Sequence, residues 1–202
     1  MLGKRFIARV VSIGVIGVGA LSAAPAHADP VVPIDWKVDA TTTLKKLDQT
    51  VVIPTGSFVG GFDLGTSELS GDLSLPQASK RLDIGQLPLA NITFAMKQAA
   101  PVTGTVDLAT MQASTVASFN VQLVSIRPVI APWLNLVGNT CQTAQPVTTS
   151  IGGTVDLING STFSGTYELG KFARCGLLVT PIINAIVPGP GNTMTAKFSP
   201  KA

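Results

Sequence analysis

The sequence predicts a mainly β protein, folded as an antiparallel barrel or sandwich of about eight to ten strands with two short apolar helices. Apolar and polar residues alternate with a period of two at 69–75, 102–108 and 163–169, as in strands that bury one face. Threonine, valine and isoleucine are frequent, and glycine, serine and proline separate the alternating segments. A helical spacing of the apolar residues fits each of these segments less well than the alternation does.

The predicted strands follow from this alternation and from the turn residues between the segments. Asn159-Gly160 is the strongest turn signal, because both residue types readily adopt positive φ. A recurring Gly-x-[Phe/Val]-Asp-Leu pattern indicates repeated strand–turn units, and it occurs at 60–64, 104–108 and 153–157. The strands are expected near 49–53, 57–64, 68–75, 91–97, 102–108, 114–125, 147–157, 161–169 and 193–198.

Two apolar segments break the alternation and predict short helices at 127–138 and 180–188. Each contains a proline that suits the first helical turn, where no backbone donor is needed. Thr180 is the expected N-cap of the second helix, and Gly138 is the expected end of the first.

The amino-terminal residues predict a cleaved Sec signal peptide over 1–28, followed by a single secreted β-domain over 29–202. The segment has a basic start, an apolar stretch and the small-x-small cleavage site Ala26-His27-Ala28. A membrane anchor is the alternative, but the uncharged stretch is shorter than the roughly 20 residues of a spanning helix. We therefore expect a secreted, extracellular or cell-envelope protein with no transmembrane helix in its mature chain.

Charge predicts which partners the mature chain avoids. All 11 acidic residues follow residue 28, but only 11 of the 14 basic residues do, so the mature chain is close to neutral. An even, neutral surface is expected to bind neither nucleic acid nor membranes by electrostatics.

Few residues offer catalytic chemistry. His27 is the only histidine and would be lost with the signal peptide, which excludes Ser-His-Asp and Cys-His catalysis and leaves no common zinc site. Asp63, Asp107 and Asp156 recur at strand ends, where we expect them to accept hydrogen bonds from turn amides. A pair of catalytic carboxylates or a calcium site is the less favoured alternative. The sequence predicts a non-enzymatic protein with no cofactor and no metal.

Cys141 and Cys175 are the only cysteines, and in an oxidising compartment they predict one disulfide. The bridge would hold the two predicted apolar helices near each other. Their apolar side chains predict a plug for one end of the β-domain, a pocket or lid for an apolar ligand, or an exposed patch that docks on envelope lipid or on a partner. The candidate residues are Trp133, Leu134, Val137, Leu178, Ile182, Ile183 and Ile186.

Five glycines occupy apolar-face positions of the predicted strands: Gly60, Gly71, Gly104, Gly153 and Gly165. They permit strand curvature, or they leave a cavity where side chains are missing, and the two alternatives are compatible. We expect a protein that binds a lipid-like small molecule or sits against an envelope component. The alternatives are a structural or adhesive surface protein that contacts an envelope partner, and an outer-membrane β-barrel, which the scarcity of Tyr and Trp disfavours.

Several turn motifs carry a family resemblance: the [Leu/Phe]-Ser-Gly hairpins, Arg174-Cys175-Gly176 and the loop at 187–192. Through these motifs the chain resembles a group of small secreted actinobacterial β-sheet proteins with no assigned activity, and the resemblance extends over most of the mature chain. Because the shared motifs are structural turns, the resemblance implies export and a β fold and carries no chemistry.

Overall fold

The computed structural model describes residues 30–84, 87–156 and 159–201. The predicted signal peptide lies outside these residues. One sheet contains eleven strands, and its order is β10-β7-β6-β8-β9-β11-β1-β2-β3-β5-β4 with a further β5–β6 pairing. The strands are β1 (Val31–Leu44), β2 (Gln49–Asp63), β3 (Glu68–Ser74), β4 (Ala78–Ile84), β5 (Leu87–Asp107), β6 (Gln112–Pro128), β7 (Gln142–Thr143), β8 (Val147–Thr154), β9 (Ser161–Leu169), β10 (Phe172–Ala173) and β11 (Gly189–Pro200).

Eight of these strands close into an antiparallel barrel, which confirms the predicted fold class and decides for the barrel over the sandwich. The closing pair is β5–β6, because β5 also pairs with β3 while β6 also pairs with β8. Closure removes the unpaired edges that an open sheet would expose.

The β5–β6 hairpin is longer than the barrel. Register shifts between Gln98 and Thr103 divide β5 into a barrel part and an outer part. The outer part pairs with β4 on one side, and the matching part of β6 pairs with β7, which pairs with β10. We call this extension, over 78–84, 87–98, 119–128, 142–143 and 172–173, the outer sheet.

Alternating side chains fill the barrel as the sequence predicts. In β11, Met194, Ala196 and Phe198 are buried while the residues between them are exposed. The ring of Phe198 lies 5.3 Å from that of Phe163 and 5.9 Å from that of Phe58, between ring centroids. The remaining gaps in the barrel are small, about 30 and 20 Å³, so the barrel interior is a packed core.

The inward glycines allow strands to approach one another and do not open a cavity. A Cβ atom built on any of the five would lie closer than 3.0 Å to backbone of the adjacent strand. Gly60 and Gly71 face each other directly across β2 and β3. Only hydrogen fits there, so curvature is the interpretation that the structure supports.

One predicted helix forms and the other does not. The helix α1 (Val179–Ile186) confirms the prediction at 180–188. Its N-cap is Leu178 and not Thr180, because the Thr180 hydroxyl donates to the Gly176 carbonyl oxygen at 2.7 Å.

The predicted helix at 127–138 is wrong, and its predicted end at Gly138 is wrong with it. Strand β6 continues to Pro128, and a loop without helix follows. The Asn135 side chain accepts a hydrogen bond from the Ile126 amide at 3.0 Å, while the Leu136 amide donates to the Ile126 carbonyl oxygen at 2.9 Å. These bonds fold the loop back onto β6 and replace the helical hydrogen bonds.

The other differences from the predicted elements concern strand limits. The predicted strands 49–53 and 57–64 form one strand, β2, and 91–97 and 102–108 form one strand, β5. Strands β1, β4, β7 and β10 were not predicted. The run of threonines in β1 and the charged residues in β4 obscure the alternation, and β7 and β10 contain two residues each. The predicted disulfide between Cys141 and Cys175 is present.

Candidate functional site

An apolar cleft lies between one face of the outer sheet and the adjacent end of the barrel. The outer-sheet wall comes from β4, β5 and β6, and the opposite wall comes from β1, β2, β9 and the 3-10 helix Lys45–Leu47. The lining residues are Thr42, Leu44, Leu47, Gln49, Val51, Lys80, Leu82, Ile92, Phe94, Met96, Phe119, Val121, Leu123, Ile126, Tyr167, Leu169, Phe172 and Val187. Fourteen of these eighteen side chains carry no polar group beyond a thioether.

The cleft has a volume of about 70 Å³. For comparison, an apolar cavity of about 150 Å³ in another protein stays dry and binds benzene. In its observed state the cleft therefore has room for less than a whole benzene-sized molecule. It is nevertheless larger than either gap in the barrel core.

The polar groups at the barrel end of the cleft are already paired with each other. The Thr42 hydroxyl donates to the Thr193 carbonyl oxygen at 3.0 Å, and its oxygen lies 2.7 Å from the Tyr167 hydroxyl oxygen. Because the Thr42 hydroxyl proton is engaged in the hydrogen bond to the Thr193 carbonyl oxygen, the Tyr167 hydroxyl is the donor in its hydrogen bond with Thr42. Both hydroxyl protons are used, so this part of the cleft offers a ligand no donor.

Burial raises the pKa of the Tyr167 hydroxyl, and the hydrogen bond with Thr42 opposes that rise. The Tyr167 side chain is 8% exposed and lies among apolar lining residues, where burial disfavours the charged phenolate. The inner part of the cleft is consequently a low-polarity environment.

Lys80 and Gln49 are the polar residues at the rim. Lys80 is the one charged residue among the eighteen lining residues, and it is exposed to solvent. No ion pair joins its ammonium group to a carboxylate within the part of the chain that the structure describes. A bound molecule would thus meet hydrocarbon inside the cleft and a cation at its rim.

Asn192 positions the 3-10 helix that forms part of the cleft wall. Its buried side chain accepts a hydrogen bond from the Lys45 amide at 3.0 Å and donates to the Gly189 carbonyl oxygen at 2.8 Å. A buried amide that is fully bonded holds β11 and the helix in one arrangement. Sequence reasoning missed Asn192, which is visible only as a polar residue in the alternation of β11.

None of the seven sequence-predicted pocket or lid residues lines this cleft. Val137 and Ile183 are buried, each at 4% exposure. The other five are exposed: Trp133, Leu134, Leu178, Ile182 and Ile186. The disulfide joins Cys141 to Cys175, three positions before Leu178, and the closer approach of the two apolar segments stays a prediction.

The recurring aspartates serve the hairpin turns. Asp63 accepts hydrogen bonds from the Gly65 and Thr66 amides at 2.8 and 3.1 Å. Asp107 bonds equivalently to the amides two and three residues on, and Asp156 accepts from the Asn159 amide at 2.8 Å. The predicted turn-capping role is confirmed. Among the described residues, no three His, Cys, Asp or Glu side chains are placed to hold a metal ion.

Comparison of the chain with protein-family models, with curated proteins and with solved structures gives no match. The resemblance to small secreted actinobacterial proteins stays a prediction. Over the described ranges, no helix has the length and hydropathy required to cross a membrane.

Proposed function

We propose that this protein is a secreted or cell-envelope-associated, non-enzymatic protein that holds an apolar, lipid-like ligand in the cleft. The observation that carries the proposal is the cleft's lining, hydrocarbon on both walls with its inner hydroxyls paired to each other. Such a lining favours a ligand with no polar group at its buried end, because an unmatched polar group would lose its hydrogen bonds to water.

The side chains of the described residues are consistent with a binding role. The described residues contain no histidine, and the three recurring aspartates are engaged in turns. The bonded hydroxyls of Thr42 and Tyr167 have no base beside them among the lining residues. Secretion is supported by the disulfide, since such bonds persist in oxidising compartments.

A ligand longer than the cleft requires its walls to separate. Strand β4 is the wall with the fewest constraints, because it is the last strand of the sheet and pairs only with β5. Displacement of β4 from the barrel end would lengthen the cleft along Lys80 and Leu82. We expect ligand binding to change hydrogen exchange in β4 more than in the barrel strands.

The test is binding of the neutral apolar fluorophore N-phenyl-1-naphthylamine to the exported, delipidated protein. Val121→Phe places roughly four extra carbon atoms in a cleft of about 70 Å³ and should abolish the fluorescence increase. Val52→Phe makes the same change at an exposed position of β2 and is the matched control. Thermal unfolding of both variants verifies that they fold. If Val121→Phe does not fold, Ile126→Asn, which changes another lining residue of the cleft, replaces it.

Equal fluorescence from Val121→Phe, Ile126→Asn and the control would place the fluorophore elsewhere and refute the proposal. Native mass spectrometry of the protein as exported provides an independent measurement. We expect an apolar molecule to accompany the wild-type chain and to be absent from Val121→Phe.

A further inference from the structure

The outer sheet ends in a cluster of exposed apolar segments. Strand β10 is antiparallel to β7, which is antiparallel to β6, so β6 and β10 run in the same direction. The loop after β6 and the segment after β10 therefore emerge at the same end, where β5 begins beside the Val129 amide. We call these segments, 87–89, 129–136 and 177–182, the apolar end.

The side chains of the apolar end are large, hydrophobic and open to solvent. Exposure reaches 97% for Leu177, 90% for Ile130, 81% for Leu178 and 78% for Trp133. Exposed apolar side chains that gather at one end of a molecule are typical of an interaction surface, whereas apolar residues scattered singly over a surface are not. None of these four residues lines the cleft, so the cleft does not account for their exposure.

The backbone holds these side chains in place. The disulfide joins Cys141 to the residue two positions before Leu177. The loop after β6 is bonded through Asn135 to β6. The apolar residues are thus presented on an anchored framework and do not belong to free ends of the chain.

Charge is divided between the two parts of the molecule. Segments 78–84, 87–98, 119–146 and 171–187 form the outer sheet and its described connections. They contain six of the 11 basic residues after residue 28 but one of the 11 acidic residues. That acidic residue, Asp83, is paired with Arg81 at 2.9 Å. The near-zero net charge of the mature chain therefore conceals an uneven distribution of charge between the two parts of the fold.

The acidic residues are concentrated in the barrel, and several lie at the hairpin turns of its opposite end. Asp63 and Asp107 mark those turns, and β5 and β6 run from them to the apolar end. Arg127 and Arg174 are exposed close to the apolar residues. This distribution would turn the apolar end towards a negatively charged surface and the barrel turns away from it.

We propose that the apolar end docks on a bilayer that contains anionic phospholipid. Ile130, Trp133, Leu177 and Leu178 enter the interfacial layer, and Arg127 and Arg174 contact the phosphate groups. A second copy of the chain fits this surface less well, since pairing two apolar ends would bring two basic outer sheets together. The surface stands apart from the cleft and does not depend on its ligand.

Trp133 reports directly on this contact. The chain has two tryptophans, and Trp36 packs beside Phe198 in the barrel, so Trp36→Phe leaves Trp133 as the one tryptophan, which can be excited selectively over Tyr167. Vesicles of phosphatidylglycerol should shift its emission to shorter wavelength and sediment the protein. Vesicles of phosphatidylcholine should do so at least about tenfold more weakly, and added salt should reduce binding to phosphatidylglycerol.

Two pairs of variants separate the apolar and charged contributions. Ile130→Asn with Leu177→Asn should weaken partition into phosphatidylglycerol vesicles at least about tenfold. Val52→Asn with Val59→Asn removes exposed apolar side chains from the barrel flank and should leave partition unchanged. Arg127→Gln with Arg174→Gln should weaken partition about fivefold for each arginine.

Failure of the protein to sediment with phosphatidylglycerol vesicles would overturn the proposal. So would equal partition of the Ile130→Asn, Leu177→Asn variant and the flank control. Dimers in sedimentation velocity that this variant abolishes, without vesicle binding, would assign the surface to a second copy. Fluorophore binding by Val121→Phe is measured separately, so the cleft proposal and this one can fail independently.

Discussion

Tyr167 gives the most direct test of whether the inner cleft excludes water. It is the only tyrosine in the chain, so tyrosinate absorbance reports on this hydroxyl alone. Burial raises its pKa above the ordinary value of 10.0. Below about pH 10 the hydroxyl is neutral in both the folded and the unfolded chain, and the stabilisation is complete. Above that pH the unfolded chain ionises first, so the free energy of unfolding falls as the pH rises towards the folded pKa.

Tyr167→Phe removes the hydroxyl and, with it, this pH dependence. At pH 7 the variant should lose about 1 kcal/mol, the usual net value of one hydrogen bond, because Thr42 still donates to Thr193 and no buried donor is left unpaired. That loss corresponds to a Tm about 2–4 °C lower for a chain of this size. Above pH 10 the difference between the two proteins should shrink by up to about 1.4 kcal/mol per pH unit.

The assay combines urea unfolding from pH 8 to 11.5 with absorbance at 295 nm. Lysine ionisation affects both proteins alike and cancels in their difference. We expect tyrosinate absorbance to appear late, together with unfolding. Titration with an ordinary midpoint near pH 10 in the folded protein would refute the reasoning, since it would show that water reaches the hydroxyl and that the inner cleft is wet.

Three further predictions concern the framework around the cleft. Gly165→Ala should cost about 1–3 kcal/mol in thermal unfolding, because its Cβ would meet backbone of the next strand, whereas Gly170→Ala, with open space around it, should change stability by less than about 0.5 kcal/mol. Reduction of the Cys141–Cys175 bridge, which spans 34 residues, should lower the free energy of unfolding by roughly 3–4 kcal/mol, and an unchanged Tm in reductant would contradict this. The pKa of the Asp107 carboxyl is lowered, chiefly by a hydrogen bond from the Thr110 hydroxyl. The stabilisation from this carboxylate should be present above pH 4 and disappear as the pH falls through the folded pKa. A carboxyl NMR titration of Asp107 with an ordinary midpoint would contradict this prediction.

Much of the barrel was predictable because local patterns determine it. Alternation in β9 and β11 identifies which side chains face inward, since a strand has a period of two wherever it is placed. The turn aspartates were equally accessible, because the hydrogen bonds of Asp63 and Asp107 reach only two or three residues along the chain. The disulfide followed from the presence of two cysteines and no others.

The cleft was beyond the reach of sequence reasoning because it depends on which strands become neighbours. Thr42 and Tyr167 are 125 positions apart in the chain, and no local signal links a threonine in β1 to a tyrosine in β9. The apolar segment at 127–138 was predicted as a helix from its composition. It forms a loop, because Asn135 finds partners on β6 that exist only once the long hairpin has formed.

By itself, the sequence determined the β class, the inward faces of most strands, the turn chemistry and the single disulfide, all of which depend on contacts a few residues apart or on residue types present once or twice. Tertiary structure alone decided for the barrel, extended β5 and β6 into an outer sheet, created the apolar cleft beneath it and separated basic from acidic surface. The physical reason is that closure and charge separation arise from pairing between distant strands, and a linear pattern records each strand's preferences but not its partners.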